Sequence, residues 1–233
     1  MTSEGAPATA GYAQPPPGRP GLGTKWGENR KSLATETQFV RATPNRPFAI
    51  ARIFYNDRSG IEAMANASLD RTRWVTSPPL STRLLSIAIR DQSHRFLPGL
   101  VVGDRWFVVG EEGRRYSIVV RNFSDWRLET VISVDGLDVI DGRPASLRKR
   151  GYVIDPHKIL VVDGFRQSLD TVAAFRFGPV RESYSQEKYH TTRNVGVIGL
   201  AAFNEKGSTL DEREIDQRLK AKPFPVFATP PNE

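Results

Sequence analysis

Three aspartates at regular spacing are the residues of this sequence that first suggest chemistry. The segment SVDGLDVIDG places Asp135, Asp138 and Asp141 three residues apart. Carboxylates are preferred ligands of Ca²⁺, so the segment is a candidate calcium loop. An EF-hand loop needs ligands at its first, third and fifth positions. Counting from Asp135, the third position holds Leu137 and the fifth holds Val139, and neither side chain can bind a cation. The three aspartates are therefore only weak calcium candidates.

A structural interpretation of the same segment agrees better with its neighbours. Asp-Gly pairs at 135–136, 141–142 and 163–164 each follow a run of apolar residues. Asp-Gly is a favoured turn pair, because glycine adopts positive φ without strain and aspartate tolerates it. The sequence predicts that strands end at these pairs, and that two turns flank a very short strand within 133–142.

Other catalytic or cofactor-binding patterns are missing from the sequence. Cysteine is absent, which excludes thiol catalysis and zinc-thiolate sites. His94, His157 and His190 lie in polar segments without metal-ligand spacing, and neither a nucleophile elbow nor a phosphate-binding loop is present. We expect a protein that is not an enzyme and that needs no cofactor.

Charge and hydropathy constrain the partners. The net charge of +7 invites a nucleic-acid hypothesis, but the arginines are scattered along the 233 residues, so nucleic acid is not the expected partner. No charged segment followed by an apolar run opens the chain, and no apolar run is long enough to cross a membrane. We expect a chain that is cytoplasmic when made, with no signal peptide and no membrane span, and that is then available for incorporation into a particle.

Proline-rich segments at both ends suggest three regions. Residues 1–35 are predicted to be an extended Pro/Gly-rich arm, 36–204 a β-sandwich domain, and 205–233 a short helix with a Pro-rich tail. Large apolar residues are rare in both arms. Those that stand out are expected to anchor the arms on another protein: Leu22, Trp26, Phe224 and Phe227.

The pattern of the central region predicts many short strands separated by turns. Residues 115–122 and 126–134 both alternate apolar and polar side chains, which predicts a β-hairpin with one charged face, where Glu129 meets an arginine. Residues 194–203 are apolar at both parities, which is typical of a central strand covered on both faces. The predicted fold is mainly β, an antiparallel β-sandwich of the jelly-roll type with Pro-rich arms.

A polar segment before the last strand is the preferred recognition loop. Residues 183–192 contain Tyr184 and Tyr189, and loops on a rigid β-sandwich commonly carry binding sites. We therefore expect these two tyrosines to contact a partner.

Several of these segments together resemble a recurring family for which no activity is known. The run RYSIVVRN, VISVDGLDVIDG, RGYVI, VVDGFRQS, VAAFRF and NVGVIGLAAF, with GLGTKWGENR and FYND before it, resembles a recurring core of uncharacterised bacterial and phage-encoded β-sandwich proteins. The resemblance covers about residues 21–203 and implies no activity.

These observations lead to two functional hypotheses. The first is a structural protein whose arms hold it in a larger assembly with other protein subunits, such as a phage virion, where it would be a capsid decoration or minor structural protein. The second is a stand-alone β-sandwich module that binds a carbohydrate or another envelope ligand through the loops at 135–142 and 183–192.

Overall fold

The computed structural model describes residues 19–67, 71–75 and 80–208, and these form a mainly β fold. The fifteen strands, numbered β1–β15 in chain order, are Leu22–Lys31, Ala49–Asn56, Thr72–Val75, Leu80–Ser81, Leu85–Asp91, Gly99–Val102, Arg105–Val109, Arg115–Asn122, Leu128–Val134, Leu137–Asp138, Tyr152–Ile154, Ile159–Val162, Gly164–Arg166, Thr171–Pro179 and Val197–Asn204. The helices are α1 at Arg58–Asn66, a 3-10 helix at Val180–Glu182 and α2 at Tyr184–Tyr189. The prediction of a mainly β protein is confirmed.

The strands form two sheets that share one core. The first sheet has the order β1-β14-β8-β5-β4, with β12 and β13 added beside β8 and β14, and the second has the order β10-β9-β15-β2-β7-β6-β3, with β11 added beside β9. Apolar side chains from both sheets meet in a single buried cluster, among them Ile87 and Ile118 from the first sheet and Ile53 and Ile132 from the second. Pairing is antiparallel except between β2 and β7, which are parallel, so the expectation of a purely antiparallel fold needs this correction.

The predicted hairpin of residues 115–122 and 126–134 is wrong, because its two strands lie in different sheets. β8 pairs with β5, β12 and β14, whereas β9 pairs with β10, β11 and β15. Asn122, fully buried at the end of β8, stabilises the crossing: its amide donates to the carbonyls of Trp126 and Ile154, and its Oδ1 accepts from the backbone of Ser124. Alternation shows that each strand has one buried face but does not identify its neighbour.

β15 is the central strand that its composition indicates. It lies between β9 and β2, and Ile198, Leu200 and Ala202 on its inner face belong to the shared core. On its outer face Ala201 is also buried, in a small cluster with Val131 and Phe203. The central position of the strand is therefore confirmed, whereas its outer face is only partly covered, because Val197 and Gly199 are half-buried.

The N-terminal arm prediction is corrected by strand β1. Residues Leu22–Lys31 pair with β14 along their length, with a β-bulge between Trp26 and Asn29. At the bulge a side chain on Gly27 would lie 2.5 Å from the carbonyl oxygen of Ala174, so only glycine permits this close approach. The folded domain therefore includes Leu22–Lys31 and does not begin at residue 36. Residues 1–18 of the predicted arm, and the C-terminal tail from 209, lie outside the described residues.

The segment predicted as a recognition loop, 183–192, contains the short helix α2. Its Ser183 accepts a hydrogen bond from the backbone of Gln186 and so caps the helix, and His190 ends it in the left-handed conformation. Neither α1 nor any other helix in the described ranges is long and apolar enough to cross a bilayer.

Candidate functional site

Asp135, the first calcium candidate, lies in a fully buried hydrogen-bond network. It occupies the turn between β9 and β10 with a left-handed backbone, as the Asp-Gly turn predicts. Its carboxylate accepts from the backbone of Thr24 at 2.8 Å, from the Tyr55 hydroxyl at 2.5 Å and from the backbone of Gly196 at 2.9 Å. The Thr24 hydroxyl contacts those of Tyr55 and Tyr116 at 2.7 and 2.6 Å. The network therefore joins β1 and β8 of the first sheet to β2 and the β9–β10 turn of the second sheet.

The network holds whether or not Asp135 carries a proton. Burial raises the pKa of Asp135 from 3.8 to about 6, although hydrogen bonds from Tyr55, Thr24 and Gly196 partly oppose this. Between Asp135 and Tyr116 the hydroxyls form a chain in which each can donate in either direction. A protonated Asp135 can donate to Tyr55 once the hydroxyl hydrogens rotate. Asp135 is 2% exposed, so its carboxyl group acts as a hydrogen-bonding group within the core.

The other two calcium candidates, Asp138 and Asp141, form separate interactions with different partners. Asp138 is buried; its Oδ1 accepts from the backbone of Ile140 and Asp141, and burial raises its pKa. Asp141 forms an ion pair with Lys149 at 2.7 Å, which together with its hydrogen bonds lowers its pKa against the effect of burial. Within the described ranges no three metal-ligating side chains cluster. The three aspartates do not face a common site.

Two of the predicted partner anchors form part of the domain. Leu22 is 6% exposed and belongs to the shared core, so it is not available to another protein. Trp26 is 38% exposed; its ring stacks 6.1 Å from that of Phe165 and lies 4.7 Å from that of Tyr184. The anchors Phe224 and Phe227 lie outside the described residues.

The structure brings together the two loop regions of the ligand-binding hypothesis. The Tyr189 hydroxyl donates to the carbonyl of Gly142 at 3.0 Å, which joins helix α2 to the second Asp-Gly turn. Tyr184 and Tyr189 are half-buried, and the Lys188 ammonium lies over both rings. With Trp26 they form a partly exposed aromatic patch, which we call the aromatic patch (Trp26, Tyr184, Tyr189).

A buried ion pair holds the polypeptide that crosses the outer face of the second sheet. Arg41 donates to Glu129 at 2.5 Å, and both side chains are buried. Glu129 also accepts from the backbone of Gly151, and the Arg41 guanidinium lies 3.6 Å from the ring centroid of Phe203. Glu129 does meet an arginine, but not one from β8: the partner comes from the segment before β2.

A groove of about 480 Å³ lies on the same outer face. The register explains it: Gly199 lies between Arg52 of β2 and Ser133 of β9, so the central strand has no side chain there. Residues of β2 and β9 line the groove on either side of β15, and Leu147 from the loop before β11 also lines it. Ile50 on the rim is 62% exposed, a high value for a large apolar side chain.

The groove combines apolar walls with a single charge. Arg52 is the one ionisable side chain among the described residues that line it, and Ser133, Ser146 and Asn194 supply neutral polar atoms. Its volume falls within the range of about 300–1,000 Å³ that ligand pockets occupy. An apolar group that carries a negative charge fits this chemistry best.

The groove was not predicted from sequence, although one signal for it was present. That signal is Gly199 within the two-sided apolar strand, since a glycine inside a strand indicates a bulge or a close backbone approach. A Cβ at position 199 would lie 2.7 Å from Oγ of Ser133, a side-chain atom of the neighbouring strand, and the strand pairing has no bulge at Gly199. Which residues stand beside Gly199 depends on strand order.

Comparison with known proteins adds no family. No family model, curated protein or solved structure matches the chain. The resemblance to a recurring bacterial and phage-encoded core stays a prediction.

Proposed function

We propose that this chain is a non-enzymatic interaction protein that joins a larger assembly, such as a phage virion, by binding a segment of a partner subunit in the groove beside Gly199. We further propose that its two sheets form a β-sandwich of the jelly-roll type and that Pro-rich arms extend from it. The observation that carries the proposal is the apolar groove with its exposed rim residue Ile50 and its one charge at Arg52. Large exposed apolar side chains beside a cavity are typical of recognition surfaces.

The groove chemistry specifies the partner segment. Apolar side chains of the segment would occupy the hollow over Gly199, and a carboxylate would pair with Arg52, because no acidic side chain among the described lining residues already neutralises it. Desolvated charge pairs favour correct partners over wrong ones. We expect an extended segment with two or three large apolar residues and one acidic residue.

The test is selection from a displayed peptide library with the full chain as bait. Wild type should enrich apolar peptides with an acidic residue, and Arg52→Glu should shift the preference to basic peptides. Ile50→Asp should abolish enrichment, whereas Leu169→Asp, which changes an exposed leucine elsewhere, should not. An unchanged preference in the Arg52→Glu protein would overturn the proposal.

The aromatic patch supports a second candidate, a carbohydrate-binding module. The Tyr189–Gly142 hydrogen bond joins the two predicted recognition regions, and Trp26 adds a partly exposed indole ring. Aromatic rings with a polar tip suit sugar recognition because they pair an apolar face with a hydrogen-bonding group. A glycan array distinguishes the candidates: hits that Tyr189→Phe weakens favour the module, and an empty array excludes it.

A further inference from the structure

Cationic side chains that are scattered in the sequence collect on the outer face of the first sheet. Tyr116, Ile118 and Val120 of β8 point into the core, so Arg115 and Arg121 point outward. Residues that pair across strands share a face, and the registers place four more cations there. We call the following six residues the basic face: Lys25, Arg30, Arg90, Arg115, Arg121 and Arg176.

Three of these cations lie directly opposite one another. Lys25 pairs with Arg176 and Arg176 pairs with Arg115, across strands about 4.8 Å apart. Like charges at opposed positions destabilise a sheet. Glu28 contacts both Arg115 and Arg176, at 3.2 and 2.7 Å, and Glu182 contacts Lys25. Two carboxylates for three cations leave this row with an excess of positive charge.

The other three cations have no acidic partner. Among the described residues Arg30, Arg90 and Arg121 form no ion pair, and Arg30 and Arg121 are exposed. Asp163, which accepts a hydrogen bond from Ser117, adds one carboxylate beside Arg30 and Arg115, so six cations share this face with the three carboxylates of Glu28, Glu182 and Asp163. An excess of arginine over lysine suits phosphate groups, because the guanidinium forms paired hydrogen bonds to them.

Two exposed phenylalanines lie on the same face. Phe96 is 46% exposed and bridges to Arg90, so their side chains share a face. Phe123 is 38% exposed, and the Arg121 guanidinium lies 4.9 Å from its ring centroid. Arg90 pairs with Ser117, and residues 117 and 123 are separated by about 20 Å of extended strand. The two rings therefore mark opposite ends of the basic face.

Arginines that bind phosphates, together with separated aromatic rings, are the elements of a single-strand binding surface. We propose that the basic face binds single-stranded nucleic acid without sequence preference, with its arginines on the phosphates and Phe96 and Phe123 stacked on bases. This departs from the expectation drawn from the sequence, where the arginines look dispersed. The sheet is what gathers them. The proposed nucleic-acid site is independent of the groove, because the groove lies on the second sheet.

The test is fluorescence anisotropy of a labelled single-stranded DNA of about 15 nucleotides, titrated with the full chain at several salt concentrations. With about four phosphate contacts, the log–log plot of affinity against salt should fall with a slope of about −3. Arg30→Gln/Arg121→Gln should weaken binding about tenfold at low salt and make the slope shallower by about 1.4. Phe96→Ala should weaken binding at least about fivefold without changing the slope.

Matched variants keep the test decisive. Arg46→Gln/Arg148→Gln removes the same charge from exposed positions outside the basic face and should change affinity less than about twofold. Phe96→Tyr retains the ring and should retain affinity. Thermal unfolding of each variant shows whether a loss reflects the fold. The proposal fails if the control pair weakens binding equally, if duplex DNA or anionic vesicles bind more tightly than single strands, or if the wild type does not bind.

Discussion

Tyr55 donates a hydrogen bond of 2.5 Å to Oδ1 of Asp135, and both side chains are buried. The bond joins strand β2 to the turn between β9 and β10, and the same carboxylate accepts from Thr24 in β1. A turn aspartate thus holds three separate parts of the chain together. Hydrogen bonds to a charged, buried acceptor are among the stronger ones in proteins.

Removing the Tyr55 hydroxyl should cost more than removing that of Tyr116. Tyr55→Phe takes a donor from the carboxylate, so the free energy of unfolding at neutral pH should fall by about 1.5–3 kcal/mol. Tyr116→Phe removes only a contact between neutral hydroxyls and should cost about 0.5–1.5 kcal/mol. Urea denaturation of both variants measures the difference. Equal losses would show that the carboxylate does not depend on Tyr55.

Asp135 should make the folded state more stable in mild acid than at neutral pH. Its folded pKa, about 6, lies above the ordinary value of 3.8, so the folded state binds the proton more tightly. The contribution of this group is most favourable below about pH 4 and falls by about 3 kcal/mol as pH rises through 6. The stability advantage of wild type over Asp135→Asn should therefore be smaller at about pH 7.5 than at about pH 4.5.

Asp141 supplies a control of opposite sign. Its pKa is lowered by the contact with Lys149, so its contribution is present above the ordinary value of 3.8 and is lost as pH falls below it. The advantage of wild type over Asp141→Asn should grow as pH rises from about 3 to about 5. Chemical denaturation between about pH 3 and about pH 7.5 checks both variants, and the same trend in both would contradict the role assigned to Asp135.

The Arg41–Glu129 pair should tolerate joint removal better than single removal. Glu129→Gln leaves the Arg41 guanidinium buried without its counter-charge and should cost about 3–5 kcal/mol. Arg41→Met/Glu129→Gln removes both charges and should cost less than either single change. A double-mutant cycle from urea denaturation measures the coupling. Additive losses would mean that the two side chains do not act as a pair.

Strand β1 should be essential for folding although it lies in a segment first predicted to be an arm. A chain that begins at residue 32 loses Leu22 from the core and Thr24 from the Asp135 network, so cooperative unfolding should disappear. A chain that begins at residue 19 keeps all of β1 and should unfold cooperatively. Calorimetry of both truncations decides this, and a cooperative transition in the shorter chain would contradict it.

Local sequence patterns predicted where strands and turns lie better than they predicted which strands pair. The Asp-Gly turns at 135–136 and 141–142, the short strand at Leu137–Asp138 and the two-sided apolar strand β15 follow from residue type and spacing, and the structure has each of them. The turn predicted at the third Asp-Gly pair, 163–164, is wrong, because strand β13 begins at Gly164 with no left-handed residue at the pair. The alternation at 115–122 and 126–134 identified two real strands but paired them wrongly. The buried amide of Asn122, which sends the chain from one sheet to the other, leaves no signal in hydropathy.

The amino-acid sequence by itself determined the fold class, the positions of most strands and turns, and the absence of cysteine chemistry, because these depend on residue identity and short-range spacing. Only the tertiary structure decided that Asp135 is a core residue, that Leu22–Lys31 is a strand, and that a groove opens beside Gly199. It also decided that six cations share one sheet face. Each of these depends on which distant strands become neighbours, and strand order is set by the packing of the whole core.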